Sequence, residues 1–359
     1  MHVKSDIDSV PRLRLVAWEL TRSCILSCIH CRACASGKQF DEELSTGECM
    51  KVIDSLVTAG NSIVILTGGE PMLRKDIYDI ARYGTDKGLR MVMATCGALL
   101  DKEKCRTLIN AGISRISLSL DGATEKSHDS FRGVNGAFGS LMKGIQAAKD
   151  AGLEFQINTT ITKSNLHELP AIYSLALELK AVSFHPFLLV PVGRAKDLKD
   201  EMISAVEYEQ TLNWIYEKHI SSEITVKPTC APHYYRIYRK REQIAGREVK
   251  PQTHGLDAYT KGCLGGQSFA FISHNGIVQI CGFLDLEAGN LRASQYNFDH
   301  IWRTSPLFKQ IRNVNEYHGK CGYCEYNNVC GGCRARAYTI NNDFLGEEPQ
   351  CLYTPKICS

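Results

Sequence analysis

Thr21 to Ala33 reads TRSCILSCIHCRA and sets Cys24, Cys28 and Cys31 in a Cys-x3-Cys-x2-Cys spacing. A cubane [4Fe-4S] cluster takes one thiolate per iron, so three thiols in one tight loop leave an iron open to a small chelating ligand. Just ahead, Leu15 to Leu20 (LVAWEL) is a short apolar run that reads as a buried strand. The cysteines therefore sit at a strand's C-terminal end, where α/β barrels place their chemistry. The competing reading is a structural zinc site. Such sites usually take two complete cysteine pairs, and no partner pair lies nearby in the sequence.

Downstream the chain alternates helix and strand. Ser45-Thr46-Gly47-Glu48 has the form of a capping box and opens a helix with Val52, Ile53, Leu56 and Val57 inward. Ser62 to Leu66 is an apolar strand of the kind parallel sheets bury on both faces. It runs straight into Thr67-Gly68-Gly69-Glu70-Pro71, where glycines allow close backbone approach and Glu70 offers an acceptor. The pattern then predicts helices over 74–87, 101–111, 136–151 and 165–179, with strands over 90–94, 115–120, 155–161 and 182–190. Strands separated by helices imply a parallel α/β sheet with right-handed crossovers. Six such units make a partial (β/α)6 barrel of the TIM type.

A second capping box, Ser204 to Glu207, opens a helix that includes Trp214 and Ile215. Lys227 to Arg236 (KPTCAPHYYR) follows. Pro228 and Pro232 are expected to hold it out of regular structure, and Arg239 to about Thr253 is expected to be a solvated connector. After Cys263 the pattern changes. Phe269 to Ser273 and Ile277 to Cys281 flank His274-Asn275-Gly276 and read as a hairpin with Asn-Gly at its turn. Cys321-x2-Cys324-x5-Cys330-x2-Cys333 and Cys351 complete a group of seven cysteines that begins with Cys263 and Cys281. The expected divisions are an N-terminal extension over 1–14, the barrel over 15–225, a connector over 226–260, and a small cysteine-rich α+β domain over 261–359. A zinc-bearing domain would also use four-thiolate sites, but zinc offers no electron path.

Composition narrows the classes. The 359 residues carry 42 basic and 39 acidic side chains, a net charge of +3, so no strong field advertises nucleic acid or an anionic membrane. No apolar run approaches the roughly 18 residues of a membrane span. The opening MHVKSDIDSVPR lacks the apolar core of a signal peptide, so a cytoplasmic protein is expected. Sixteen cysteines in such a protein point to metal rather than disulfides.

Cys24, Cys28 and Cys31, with His30 between the last two, resemble the signature of the radical S-adenosylmethionine (SAM) enzymes, and Gly68-Gly69-Glu70 resembles that family's glycine-glycine-glutamate motif. The resemblance implies that SAM chelates the open iron and is cleaved reductively to a 5′-deoxyadenosyl radical. It also implies that Gly68, Gly69 and Glu70 bind the SAM amino group and that His30 packs near the adenine. Ser119 and Asp121 would reach the ribose or methionine end, Asn158 the adenosine, and Arg132 the SAM carboxylate. Where relatives often carry Thr-Asn-Gly, this chain reads Thr95-Cys96-Gly97, which leaves Cys96 as a buried bystander.

The seven C-terminal cysteines resemble the SPASM extension, which carries up to two auxiliary [4Fe-4S] clusters. By position, Cys321, Cys324, Cys330 and Cys351 would hold one. Cys263, Cys281 and Cys333 would hold the other, with Cys230 as the candidate fourth ligand. This chain has two residues, Gly331 and Gly332, where that family usually has three. Cys34, Cys49, Cys105 and Cys358 fit neither set and are read as non-ligands.

Leu189 to Ala195 (LVPVGRA), Cys230 to Arg236 and Cys330 to Tyr338 (CGGCRARAY) are most similar to the SAM-dependent haem synthases within that family. The resemblance implies oxidative decarboxylation of two propionates of Fe-coproporphyrin III to vinyl groups, with a ferredoxin or flavodoxin as the low-potential electron donor. A porphyrin is a flat apolar disc edged by carboxylates, needing apolar walls and cationic groups at its rim. His233, Tyr234, Tyr235, Arg236 and Arg194 are the candidate substrate residues on that ground. The alternatives are a didecarboxysiroheme deacetylase or haem d1 enzyme, a SPASM-type peptide-modifying enzyme, and, outside enzymes, a non-catalytic metal-binding protein.

Overall fold

Strand β1 (Leu15–Thr21) is laid down first, and the sheet grows from both of its edges. The computed structural model describes residues 10–38, 40–60, 62–250 and 261–356. On one side β1 pairs in parallel with β2 (Ile63–Gly68), Leu15 opposite Ile63 and Glu19 opposite Thr67. The parallel series continues through β3 (Arg90–Thr95), β4 (Ile116–Ser119), β5 (Phe155–Ile161), β6 (Ser183–Leu188) and the two-residue β7 (Thr225–Val226). Helices α1 (Thr46–Ala59), α2 (Ile77–Asp86) and α3 (Lys102–Asn110) pack their apolar faces on it, burying among others Val52, Ile53, Leu56, Ile80 and Leu108. The capping box at Ser45 and Glu48 is present. The predicted partial barrel is therefore the observed architecture, and its strand ends all deliver their loops to one face.

Three differences have physical causes. First, the helix expected from residue 74 begins at Ile77. Pro71–Leu73 forms a single tight turn instead, and the Glu70 side chain caps it by accepting from the Met72 N–H at 3.0 Å. Second, the stretch after Gly122 contains α4 (Glu125–Arg132) ahead of α5 (Ala137–Ala151). Its polar sequence hides the helix, but Thr124 and Ser127 form a capping box and Gly133 closes it in the left-handed region. Third, the expected irregular segment after Lys227 is corrected. After α6 (Leu169–Glu178) and α7 (Ala205–Ser221), His233–Ile244 is a regular helix, α8, with Tyr238 and Glu242 buried. Pro232 stands at its N-cap with φ −55°, where a missing N–H and a fixed φ cost nothing. The solvated connector does not begin at Arg239; residues 251–260 of it lie outside the described residues.

On the other edge, β1 pairs in parallel with β8 (Phe269–Ile272), Leu15 opposite Phe269 and Trp18 opposite Ile272. The chain then turns antiparallel into β9 (Ile277–Cys281) and β10 (Leu284–Asn290). The hairpin is thus an outgrowth of the barrel's own sheet, ten strands in the order β10-β9-β8-β1-β2-β3-β4-β5-β6-β7. Among the described residues the C-terminal part has three further helices, α9 (Phe298–Thr304), α10 (Pro306–Arg312) and α11 (Arg334–Asn341). Among the described residues no helix is long and apolar enough to cross a membrane.

Glu19 fastens the two parts. It is wholly buried on β1, and it accepts from Arg22 Nε at 3.0 Å and Arg32 Nη2 at 2.5 Å, with His274 Nδ1 of the hairpin turn 3.0 Å away. Burial alone would raise its pKa; Arg32, His274 and Arg22 more than offset this and bring it down to about 2. A folded-state value below the unfolded one means stability that is present above about pH 4.5 and lost as the pH falls toward 2. The shift corresponds to about 3 kcal/mol. Denaturant titrations over that window should show a steep loss of stability that Glu19→Gln flattens; parallel curves for the two proteins would contradict it.

Candidate active site and metal centres

The cysteine loop is pinned from all sides. Cys24 N–H donates to the Ser36 carbonyl at 2.8 Å and Ile29 N–H to the Phe131 carbonyl at 3.2 Å. From β2, Gly69 N–H reaches the Thr21 carbonyl at 2.7 Å and Glu70 N–H the Ser23 carbonyl at 2.8 Å. A Cβ on Gly69 would stand 2.3 Å from the Ser23 oxygen, so the double glycine is required by the loop itself. Gly193, at φ +60°, does the same from below, where a Cβ would stand 2.2 Å from the Arg32 carbonyl. Arg194 beside it donates Nε to the Cys28 carbonyl at 2.8 Å and Nη1 to the Ala35 carbonyl at 2.7 Å. Arg194 thus clamps the cysteine loop, with its Nη2 buried and unpartnered.

The three thiols suit a cluster. Each sulfur accepts one N–H: Cys24 from Leu26 at 3.4 Å, Cys31 from Ala35 at 3.4 Å, and Cys28 from Arg132 Nη1 at 3.5 Å. Such outer donors orient and tune metal-bound thiolates. Burial pushes the free Cys24 thiol up to about 11, so a thiolate here needs a cation, which iron supplies. Cys49 stands apart from the loop as a packed thiol, donating to the Leu44 carbonyl at 3.8 Å and accepting from Arg74 Nη2 at 3.9 Å. Among the described residues no three His, Cys, Asp or Glu converge on one ion. A cubane asks for a wider spacing, with each thiolate on its own iron.

The strand ends beside the loop carry the expected polar groups. Glu70 is buried and accepts from Thr95 Oγ1 at 2.8 Å, Cys96 N–H at 2.8 Å and Met72 N–H at 3.0 Å. A carboxylate has about four acceptor sites, so three donors leave capacity for an ammonium. Thr95 was not singled out from the sequence; a hydroxyl ending the strand next to Glu70 was the available signal. Cys96 is more than a bystander, since its backbone holds Glu70. His30 packs against Phe131, ring centroids 4.4 Å apart and tilted by 39°, and its Nδ1 is buried without a partner, as expected of a ring that faces a bound group. Ser119 and Asn158 are register neighbours across β4 and β5.

Asp121 and Arg132 are brought together rather than left open. They form a buried ion pair, Thr160 N–H donates to Asp121 Oδ1 at 2.7 Å, and the guanidinium reaches on to Cys28. The expected direct roles toward SAM are revised accordingly: the pair holds Cys28.

The C-terminal thiols divide into two sets. Cys263, Cys281 and Cys333 all lie close enough to Cys230 to push its thiol's pKa further up than burial alone does, and Cys263 and Cys333 do the same to Cys281. Cys230 holds φ +57°, a left-handed backbone uncommon for any residue with a Cβ and of the kind that gathers at functional sites. Cys321, Cys324, Cys330 and Cys351 line one pocket with His233 and Arg236. There Cys324 accepts from Tyr326 N–H, Cys330 from Gly332 N–H and Cys321 from Arg334 Nη2, each at 3.4 Å. Of the residues expected to face a porphyrin, His233 and Arg236 thus lie against thiols. Tyr234 and Tyr235 are buried in the core beside them, their rings 5.5 Å apart. The chemical types fit a porphyrin, but burial assigns them elsewhere.

Between the sets runs a wholly buried ion pair, Arg336 Nη1 to Glu348 Oε2 at 3.1 Å, with Glu348 also accepting the Cys333 N–H at 2.7 Å. Removing one member leaves the other charge buried alone. Glu348→Ala should therefore cost about 3–5 kcal/mol in chemical denaturation; a loss below about 1 kcal/mol would show the pair to be dispensable.

A partial barrel with an open-iron cysteine loop at its strand ends, followed by two further sets of four thiols, defines a radical enzyme. The chain belongs to the radical SAM superfamily, which matches residues 18–176, and carries the iron-sulfur cluster-binding SPASM domain, which matches residues 263–334. It therefore binds SAM and [4Fe-4S] clusters. It is 51% identical over 349 residues to an AdoMet-dependent heme synthase of Nitratidesulfovibrio vulgaris, covering 97% of this chain and 95% of the relative. It is 48% identical over 342 residues to an AdoMet-dependent heme synthase of Methanosarcina barkeri, covering 95% and 97%. Among solved structures, SuiB of Streptococcus suis, crystallised with S-adenosylmethionine, superposes with a TM-score of 0.73 at 17% identity, covering 95% of this chain and 78% of that one; this is a likeness of fold.

Proposed function

We propose that the protein makes haem b from Fe-coproporphyrin III, converting two propionates to vinyl groups. The observation that carries this reading is the near-half identity to heme synthases along almost the whole of both chains, including the stretches outside the cluster and SAM motifs. SAM bound to the reduced cluster supplies the 5′-deoxyadenosyl radical that takes one hydrogen atom from a propionate β-carbon. The propionate then loses CO2 and one electron, leaving the vinyl group, so every decarboxylation needs an electron acceptor. Cys24, Cys28 and Cys31 are the ligands of the SAM cluster, and Arg132 and Arg194 hold their loop. Glu70 takes the SAM ammonium, Gly68 and Gly69 bring that carboxylate up against the cysteine loop, His30 packs on the adenine, and Ser119 and Asn158 meet the nucleoside. The two C-terminal thiol sets, Cys230 included, hold the acceptors. A ferredoxin or flavodoxin supplies the reducing electron, and the reducing cytoplasm, where free thiols persist, is the natural compartment. The test is anaerobic incubation of Fe-coproporphyrin III with the reconstituted protein, SAM and a reductant, followed by mass analysis. Haem b with matching 5′-deoxyadenosine is expected; an unchanged porphyrin with an active first cluster would overturn the reading.

A further inference from the structure

α8 brings His233 to the pocket of Cys321, Cys324, Cys330 and Cys351. The imidazole is 1% exposed, yet its Nε2 is buried with no hydrogen-bond partner, while Nδ1 lies 3.2 Å from the Tyr208 hydroxyl. One turn on, Arg236 enters the same pocket. Glu209 holds its Nη2 at 2.5 Å, but its Nε is likewise buried and unpartnered. Two orphaned N–H groups at one pocket require an explanation, because buried donors are almost always satisfied.

The groups on either side of His233 decide which nitrogen carries the proton. Arg336 Nη1 stands 3.5 Å from the Tyr208 oxygen, and a guanidinium only donates, so Tyr208 accepts there. The phenol proton has two acceptors in reach, His233 Nδ1 at 3.2 Å and the Cys230 carbonyl at 3.3 Å, and a cluster sulfur facing Nε2 can only accept, which selects the tautomer with the proton on Nε2 and Tyr208 donating to Nδ1. With Tyr208 donating to Nδ1, the neutral ring carries its proton on Nε2.

We infer that His233 Nε2 and Arg236 Nε donate hydrogen bonds to the sulfurs of the cluster held by Cys321, Cys324, Cys330 and Cys351, with Arg336 and Tyr208 supporting the tautomer that does so. Donors to cluster sulfur stabilise the reduced, more negative state and raise its potential. His233 and Arg236 are thus redox-tuning residues that raise the potential of this cluster. The inference rests on the assignment of these four thiols to a cluster, which iron and sulfide analysis of the same samples checks separately.

The test uses protein with Cys24, Cys28 and Cys31 replaced by Ala, so that only the auxiliary clusters give signals, in redox titrations followed by electron paramagnetic resonance. His233→Phe should lower one midpoint potential and leave the other in place. His233→Gln, which returns an N–H near the Nε2 position, should restore it, and Tyr208→Phe should give an intermediate value. Potentials unchanged in all three variants would overturn the inference. Should His233→Phe fail to hold iron, protein labelled with 15N-histidine but unsubstituted at His233 decides. A 15N coupling to one reduced cluster is expected, and its absence, or an iron-free pocket, would overturn the inference.

Discussion

Alanine at Cys24, Cys28 and Cys31 together is expected to abolish SAM cleavage while iron stays bound. The three thiols lie in a loop held by β2, α4 and Arg194, and they share no member with the two C-terminal sets. Those sets have their own N–H donors, to Cys321, Cys324 and Cys330 in one and to Cys281 and Cys333 in the other. Loss of the first cluster removes the iron that SAM would chelate, so 5′-deoxyadenosine should fall to background, while iron and sulfide drop by one cluster's worth. A folded triple variant containing no iron would mean that the C-terminal thiols hold none. Retained SAM cleavage would mean that the open iron lies elsewhere.

Changing Cys321 and Cys324 to Ala should have the opposite signature. SAM cleavage continues, conversion of propionate to vinyl falls at least tenfold, and uncoupled 5′-deoxyadenosine accumulates. The reason is the electron balance: a β-carbon radical yields a neutral vinyl group and CO2 only if one electron is taken up. Return to the first cluster competes with SAM or its fragments on that iron, whereas the C-terminal sets are separate. Their connection to the first is short. Arg32 follows Cys31 in the chain and donates Nη1 to the Gly282 carbonyl at 3.4 Å, next to Cys281. Unchanged haem formation in this variant would make the Cys321 set purely structural.

The parts legible from sequence are those whose chemistry is local. Cys24, Cys28 and Cys31, the Gly68-Gly69-Glu70 turn, and the capping boxes at Ser45 and Ser204 each declare themselves within a few residues, because spacing alone carries the geometry. The grouping of Cys230 with cysteines beyond residue 260 was reachable by counting ligands. What escaped depends on partners distant in sequence. Thr95 matters only because β3 lies beside β2. Arg132 and Asp121 look like two ligands for SAM until the fold sets them on each other. Residues 233–236 (HYYR) have the aromatic and cationic character a porphyrin needs, and nothing in their order reveals that α8 turns His233 and Arg236 toward thiols and buries Tyr234 and Tyr235 in the core. Pro232 misled most directly, since a proline breaks a helix everywhere except at its start.

The parallel pairing of β8 with β1 has a practical corollary for anyone trimming the protein. Ending the chain after α8 would strip the partner from Leu15–Trp18, leaving an apolar edge of unpaired peptide groups of the sort that recruits other chains. Glu19 would lose His274 in the same cut. A barrel made alone should therefore aggregate, and an inactive precipitate from it would say nothing about whether the missing thiols carry electrons.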